Sequence, residues 1–314
     1  MSIAEIVTAR VLDQIGAGQV PWRKPWKAGL PRNLGTRREF RAVNLLLLGG
    51  ADFTSRYWLT SRQAQQLGGQ VRQGERAAPV VCWKRHTPAT PRGRDEQPAP
   101  AAPAPGVPCV WAVFNLDQVE GMPAPADDQP RRADRFQVAE QMLEVMPDQP
   151  EIVHLQTRQP GYSPRRDRLT LPHLSQFQSA DEYFSLLFRG LVLCTGAGHR
   201  LNRFGGMAGE CSPPYSFEAL VAELGTAFLC GFTGMAPGCP RLLPPDDLEN
   251  WAQVLRRDSQ ILLRAAAAAQ RAADYVRGKL IPEPPRRAAT AAPLPDSNRR
   301  QFLPELLAVA RSSC

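Results

Sequence analysis

Pro21-Trp22-Arg23-Lys24-Pro25-Trp26 sets two indoles and two cations between two prolines, near the start of a 314-residue chain. Proline fixes the backbone and removes a hydrogen-bond donor, so the segment reads as a rigid extended loop rather than a helix turned inward. Residues 1–90 around it repeat the mixture. They hold four of the six tryptophans (Trp22, Trp26, Trp58, Trp83) and fourteen Lys or Arg against five Asp or Glu, a formal charge of +9 where the whole chain carries +8. Cations track a phosphate backbone while indole faces stack on unpaired bases, a contact worth about 1–3 kcal/mol per base. The pattern points to single-stranded nucleic acid, with Trp22, Arg23, Lys24, Trp26, Arg37, Arg38, Arg41 and Trp58 as contact residues. The alternative is structural, because tryptophan is commonly a core residue and a basic stretch commonly a solvated face. Trp22 and Trp26 have the better claim to exposure; the neighbours of Trp58 suit a core position equally well.

Composition bounds the rest. With 43% hydrophobic and 22% charged residues the chain is ordinary globular protein, long enough for two domains. Seven widely spaced cysteines fit neither a disulfide framework nor a zinc ribbon, and suit a reducing cytoplasm. No apolar run approaches a membrane span, so a soluble cytoplasmic protein without a membrane partner is expected. Neither a phosphate-binding Gly-x-x-x-x-Gly-Lys-Ser/Thr loop nor a Gly-x-Ser-x-Gly elbow occurs. Cys194 with His199 is a weak thiol-nucleophile pair, since Cys194 ends an apolar helix.

The patterning predicts an α+β fold. Residues 1–123 form a mixed domain: a helix over Ser2–Ile15 capped by Ser2, a buried helical turn at Asn44–Leu48, and a capped short helix at Thr60–Leu67 stopped by Gly68-Gly69. Strands at Val80–Lys84 and Cys109–Asn115 flank a proline-rich excursion, residues 87–108, as a long hairpin. A linker at 124–135 leads to a mainly helical domain, 136–280, with helices at Phe136–Met146, Asp181–Cys194, Ser216–Cys230 and Asp246–Lys279 and a short strand at Asp167–Pro172. Residues 281–314 read as a proline-rich tail.

Pro21-Trp22-Arg23-Lys24-Pro25-Trp26, Asn33-Leu34, Asn44 to Leu48, Tyr57-Trp58-Leu59-Thr60, Leu67-Gly68-Gly69 and Val71-Arg72-Gln73-Gly74-Glu75 together resemble the ArdC-type antirestriction proteins of conjugative plasmids and other mobile elements. Tyr162, Asp167, Tyr183, Thr195-Gly196, Arg200-Leu201-Asn202-Arg203, Glu218 to Gly225 and Ala272-Ala273-Asp274-Tyr275 extend the resemblance over most of residues 1–280. It implies an N-terminal single-stranded-DNA-binding domain joined to a C-terminal zincin-like metallopeptidase domain. The implied role is to engage the incoming single strand and hinder restriction enzymes. A restriction-modification or conjugation protein is a further candidate partner.

The departure from that family is as informative. A zincin needs His-Glu-x-x-His on a helix, so that two imidazoles hold zinc from one face while the glutamate polarises water. Anchored on Thr195-Gly196, the resemblance puts Arg189 and Leu193 at the histidine positions and Gly190 at the glutamate. None of the three can substitute. The expectation is a pseudoenzyme with no catalytic residue, metal or cofactor. Glu218 and Glu223 survive downstream, and a salt bridge from Arg189 to one of them would replace the metal as the link between two helices. The plainer reading leaves them as helix-surface carboxylates. Two rivals stand beside this: a peptidase using a rearranged set, His173, His199 and Glu218, and an adaptor whose inactive domain binds a protein partner.

Overall fold

A computed structural model describes residues 2–23, 26, 29–49, 53–84, 107–122, 125, 135–157, 160–204, 216–236 and 247–279. Helix α1 (Ile3–Gly16) starts with a reciprocal cap: the Ser2 hydroxyl accepts the Glu5 N–H at 3.2 Å and the Glu5 carboxylate accepts the Ser2 N–H at 2.8 Å. Two donors that a helix start leaves open are thereby satisfied. Helix α2 (Val43–Gly49) buries Val43 and Leu45 to Leu48, and α3 (Ser61–Gln66) repeats the reciprocal cap with Thr60 and Gln63. Sequence signals placed all three.

Strands β1 (Arg32–Asn33), β2 (Tyr57–Leu59), β4 (Ala78–Lys84) and β5 (Val107–Asn115) make a sheet of order β1-β2-β5-β4, with β1 parallel to β2 and the other neighbours antiparallel. β4 and β5 are the expected hairpin, in register from Ala78 opposite Val113 to Lys84 opposite Val107. Residues 87–106 of the excursion, most of the linker and the tail lie outside the described residues, and residues 107–108 belong to β5 rather than to the excursion. β3 (Gln70–Val71) pairs with β6 (Val119–Glu120). On β4, the Asn44 side chain gives Val81 a surrogate strand partner: its amide donates to the Val81 carbonyl at 2.8 Å and accepts the Val81 N–H at 2.7 Å.

The second half opens with α4 (Arg135–Glu144). Strands β7 (Glu151–Leu155), β8 (Gly161–Ser163) and β9 (Arg168–Pro172) follow, with β7 parallel and β8 antiparallel to the central β9. Helices α5 (Ala180–Cys194) and α6 (Phe217–Thr233) lie where expected. The single helix expected over Asp246–Lys279 is two, α7 (Asp247–Arg257) and α8 (Ile261–Val276). Between them the Asp258 carboxylate accepts the Gln260 N–H at 2.9 Å, and the Ser259 carbonyl accepts the Thr8 hydroxyl at 2.9 Å. A short polar side chain bonding its own backbone competes with the helix.

The largest buried cluster crosses the whole chain. Val7, Trp22 and Leu45 of the first half pack with Phe188 and Leu191 of α5, Leu220 and Phe228 of α6 and Tyr275 of α8. Helix α6 is apolar on nearly every face because it lies between α5 and α8. Its Gly225 admits α5 closely: a Cβ there would sit 2.7 Å from Val192. Polar contacts add to the junction. Glu39 pairs with Arg277 at 3.4 Å, Arg41 with Asp274, and the Ala42 N–H donates to Gln270 at 2.9 Å. The Arg277 guanidinium also lies 3.6 Å from the centre of the Phe232 ring.

Candidate functional site

Helix α5, capped by Ser179, carries Arg189, Gly190 and Leu193 on its second half. Arg189 points at α6, where its Nη1 donates to Glu223 Oε1 at 2.6 Å. The inter-helix salt bridge is therefore present, to Glu223 rather than Glu218. A second guanidinium joins it: Arg23 Nε donates to Glu223 Oε2 at 3.4 Å, so one carboxylate, 12% exposed, is shared by α5 and the N-terminal tryptophan segment. Glu218 is held instead by Arg203, whose Nε and Nη2 reach it at 3.1–3.2 Å while Nη1 donates to the Thr195 hydroxyl at 2.7 Å. Both acids have thus become anchors between the end of α5 and α6, with their oxygens facing cations.

Gly190 has no room for a side chain. A Cβ there would lie 2.3 Å from Leu169 Cδ1, so the space beside it is filled by the buried side chain of β9. Leu193 packs on the core with carbon only. The rearranged set is not assembled. His173 is exposed against Ser175, His199 pairs with Asp167 at 3.4 Å, and among the described residues no three His, Cys, Asp or Glu converge as metal ligands. Cys194 is buried, which pushes its thiol up to about 12, and it donates to the Leu191 carbonyl. It is no nucleophile for His199.

The tryptophan segment corrects the expectation of exposure. Trp22 is 1% exposed and meets Trp251 of α7 edge-on, with ring centres 6.0 Å apart. Trp26 is half-buried and wedged between helices: a Cβ on Gly49 would lie 2.6 Å from its Nε1, and one on Gly231 would lie 2.5 Å from its Cε3. The prolines stiffen the segment as expected, but the indoles turn toward α6 and α7, because burying an aromatic face outweighs leaving it in water. Trp58 is core as well, 2% exposed and edge-on to Phe53. Trp22 and Trp58 are thus closed to a base in this structure, while Trp26 stays partly accessible. Of the cations, Arg23 and Arg41 are ion-paired, Lys24 lies outside the described residues, and Arg37 and Arg38 are exposed in the β1–α2 connection, Arg37 over the Tyr57 ring at 5.5 Å. Among the described residues, Trp111 on β5 is an exposed indole, 50% accessible. Strand alternation does not mark it, because Val113 on the same face is buried, and nothing local in the sequence separates it from the buried indoles.

A second polar centre braces the site from behind. Arg200, its side chain fully buried, donates to both Asp167 oxygens at 2.8 Å, to the Asp148 carbonyl and to the Cys194 carbonyl at 3.1 Å. Tyr162 donates to Asp167 at 2.7 Å. Burial alone would raise the Asp167 pKa, but the hydrogen bonds from Arg200 and Tyr162 and the guanidinium charge outweigh it and hold the carboxyl below its ordinary value.

Glu223→Ala removes the carboxylate that Arg189 and Arg23 share and should cost about 1–3 kcal/mol in urea unfolding. Combined with Arg189→Met it should fall short of additivity by more than about 0.5 kcal/mol. Additive losses would mean that the bridge carries no coupling.

Comparison with known proteins agrees with this architecture. Residues 1–103 match the N-terminal domain of anti-restriction factor ArdC, and residues 139–268 match the zincin-like metallopeptidase family. The uncharacterized protein y4eC of Sinorhizobium fredii (strain NBRC 101917 / NGR234) is 30% identical over 292 residues, covering 87% of this chain and 91% of the relative. Two Escherichia coli proteins named DNA primase TraC are 29% and 30% identical over 87% of this chain, which spans only 20% and 27% of their lengths. Crystal structures of the antirestriction protein ArdC from plasmid R388, one metal-free and one Mn(II)-bound, superpose with TM-scores of 0.66 and 0.69 at 28% identity, covering 88% of this chain and 97% of ArdC. The fold implies a metal, and the residues here do not fit one: no His-Glu-x-x-His occurs, Glu223 faces two guanidiniums, and Leu169 fills the space beside Gly190. An ArdC N-terminal domain followed by a zincin-like domain, in one fold with R388 ArdC, makes this chain a member of the ArdC-type antirestriction family.

Proposed function

We propose that the protein binds single-stranded DNA through residues 1–123 and protects incoming DNA of a mobile element from restriction, with residues 136–280 acting as a catalytically silent zincin-like domain. The observation that carries the silent domain is the shared Glu223: a carboxylate between Arg189 and Arg23 neither holds a metal nor polarises water. By the family resemblance, Arg189, Gly190 and Leu193 stand where the metal-binding and catalytic residues would be. The +9 charge of residues 1–90 supports the DNA reading, and the TraC relatives are named as primases.

The contact set proposed here differs from the one the sequence suggests. Arg37, Arg38 and Lys24 take phosphates and Trp111 stacks, whereas Trp22, Trp26, Trp58, Arg23 and Arg41 hold the protein together. The test is binding of a fluorescent single-stranded oligonucleotide against its duplex over a salt series. The single strand should win, and Arg37→Ala/Arg38→Ala should make the log-log salt slope shallower by about 1.4, at roughly 0.7 per phosphate contact. Trp111→Ala should weaken binding by about 1–3 kcal/mol with the slope unchanged. Equal, salt-insensitive binding of both forms would sink the reading.

A further inference from the structure

We infer that Cys82 and Cys109 form a reversible cross-strand disulfide, an oxidation site on the β4–β5 hairpin. The two residues are register partners, and their sulfurs lie 3.6 Å apart. Val81 directs its own N–H and C=O outward to Asn44, so the neighbouring Cys82–Cys109 pair is one that hydrogen-bonds across the ladder. Such pairs have Cα atoms about 5.5 Å apart. A disulfide accepts about 4.4–6.8 Å, so the bond needs side-chain rotation and little backbone movement. Both cysteines are partly exposed, whereas Cys194 and Cys230 are buried. Burial pushes both of the latter thiols up and leaves them protonated and out of reach.

A low-molecular-weight disulfide such as oxidised glutathione is the oxidant. One protein thiolate attacks a glutathione sulfur, forms a mixed disulfide and releases one glutathione thiolate. The second protein thiolate then attacks the protein-side sulfur of that mixed disulfide and releases the second. Two thiol protons and two electrons leave the protein, and one oxidised glutathione becomes two reduced molecules. The bond would tie together the strands on either side of residues 85–106, next to the exposed Val110 and Trp111. It is independent of whether the protein binds DNA.

The full chain is equilibrated in glutathione buffers from reducing to oxidising, quenched with acid and iodoacetamide, digested with trypsin and mapped by mass spectrometry. The expected product joins peptide 77–84 to peptide 95–131, grows with the oxidised fraction and disappears with dithiothreitol. In Cys82→Ser and Cys109→Ser, each checked for folding by circular dichroism, the remaining cysteine should carry glutathione instead. Wild-type protein whose Cys82 and Cys109 stay reduced, end as separate glutathione adducts or join other cysteines under oxidising buffer overturns the inference. That result does not depend on either variant folding.

Discussion

Arg200→Met is expected to lower the stability of the protein by about 2–4 kcal/mol, because it removes a fully buried guanidinium and leaves the Asp148 and Cys194 carbonyls and the partly exposed Asp167 carboxylate without that donor. At about 2–4 °C per kcal/mol for a domain of this size, the melting temperature should fall on the order of 10 °C. The side chain is fully buried and bridges β9, α5 and the loop before β7 through Asp167, Cys194 and Asp148. Methionine keeps much of the volume but supplies no donor. Asp148 and Asp167 both adopt positive φ, 43° and 46°, and Arg200 helps to hold them there.

The pH dependence separates the ion pair from packing. The Asp167 pKa is depressed in the folded state, so its contribution is complete above the unfolded value, about 3.9. It is lost as the pH falls through the lower folded value. The gap between wild type and Arg200→Met should therefore be constant from neutral pH to about pH 4 and narrow below it. It should not close, because the bonds from Arg200 to the carbonyls of Asp148 and Cys194 do not titrate. A gap of the same size at pH 2 would rule out Asp167 as the partner that matters.

Gly190→Glu should abolish the folded state. The Cβ alone meets Leu169 at 2.3 and 2.7 Å, and a carboxylate would then have to displace this buried side chain of β9. The milder Gly190→Ala should cost about 1–3 kcal/mol, the usual penalty for overpacking. Leu169→Ala should cost about 2–5 kcal/mol by leaving a cavity. The double variant Gly190→Ala/Leu169→Ala should lose less than the sum, since each change relieves the other. Additivity, or a neutral Gly190→Ala, would show that β9 does not press on α5. By the same contact, any larger side chain at Gly190 should be accommodated only when Leu169 is shortened as well.

The fold was legible wherever local chemistry decided it. Caps at Ser2 and Thr60, the Leu45–Leu48 run and the two strands around the proline-rich excursion all announce themselves within a few residues. The salt bridge from Arg189 was legible only through the family resemblance, which sets Arg189 at a metal-ligand position and leaves Glu218 and Glu223 both open as its partner. What stayed hidden depends on residues far apart in the chain. Trp22 is buried by Trp251, Trp26 fits between Gly49 and Gly231, and Arg23 finds Glu223 two hundred positions away. Neighbouring prolines and cations suggest exposure, and tertiary burial overrides them. The break at Asp258–Gln260 was missed for a related reason: alanine-rich sequence on its C-terminal side favours one continuous helix until Thr8 and the Asp258 side chain claim the intervening backbone.

Asn44 closes one more question. An edge strand such as β4 presents unpaired backbone groups that can recruit a peptide or a second copy of the chain by strand addition. At Val81 those groups are already spent on the Asn44 amide, which occupies the place a fifth strand would take. One side chain of α2 therefore does the work that other sheets assign to edge lysines, prolines or bulges. A partner chain therefore cannot add as a continuous strand along β4, because the middle of that edge is closed to a backbone.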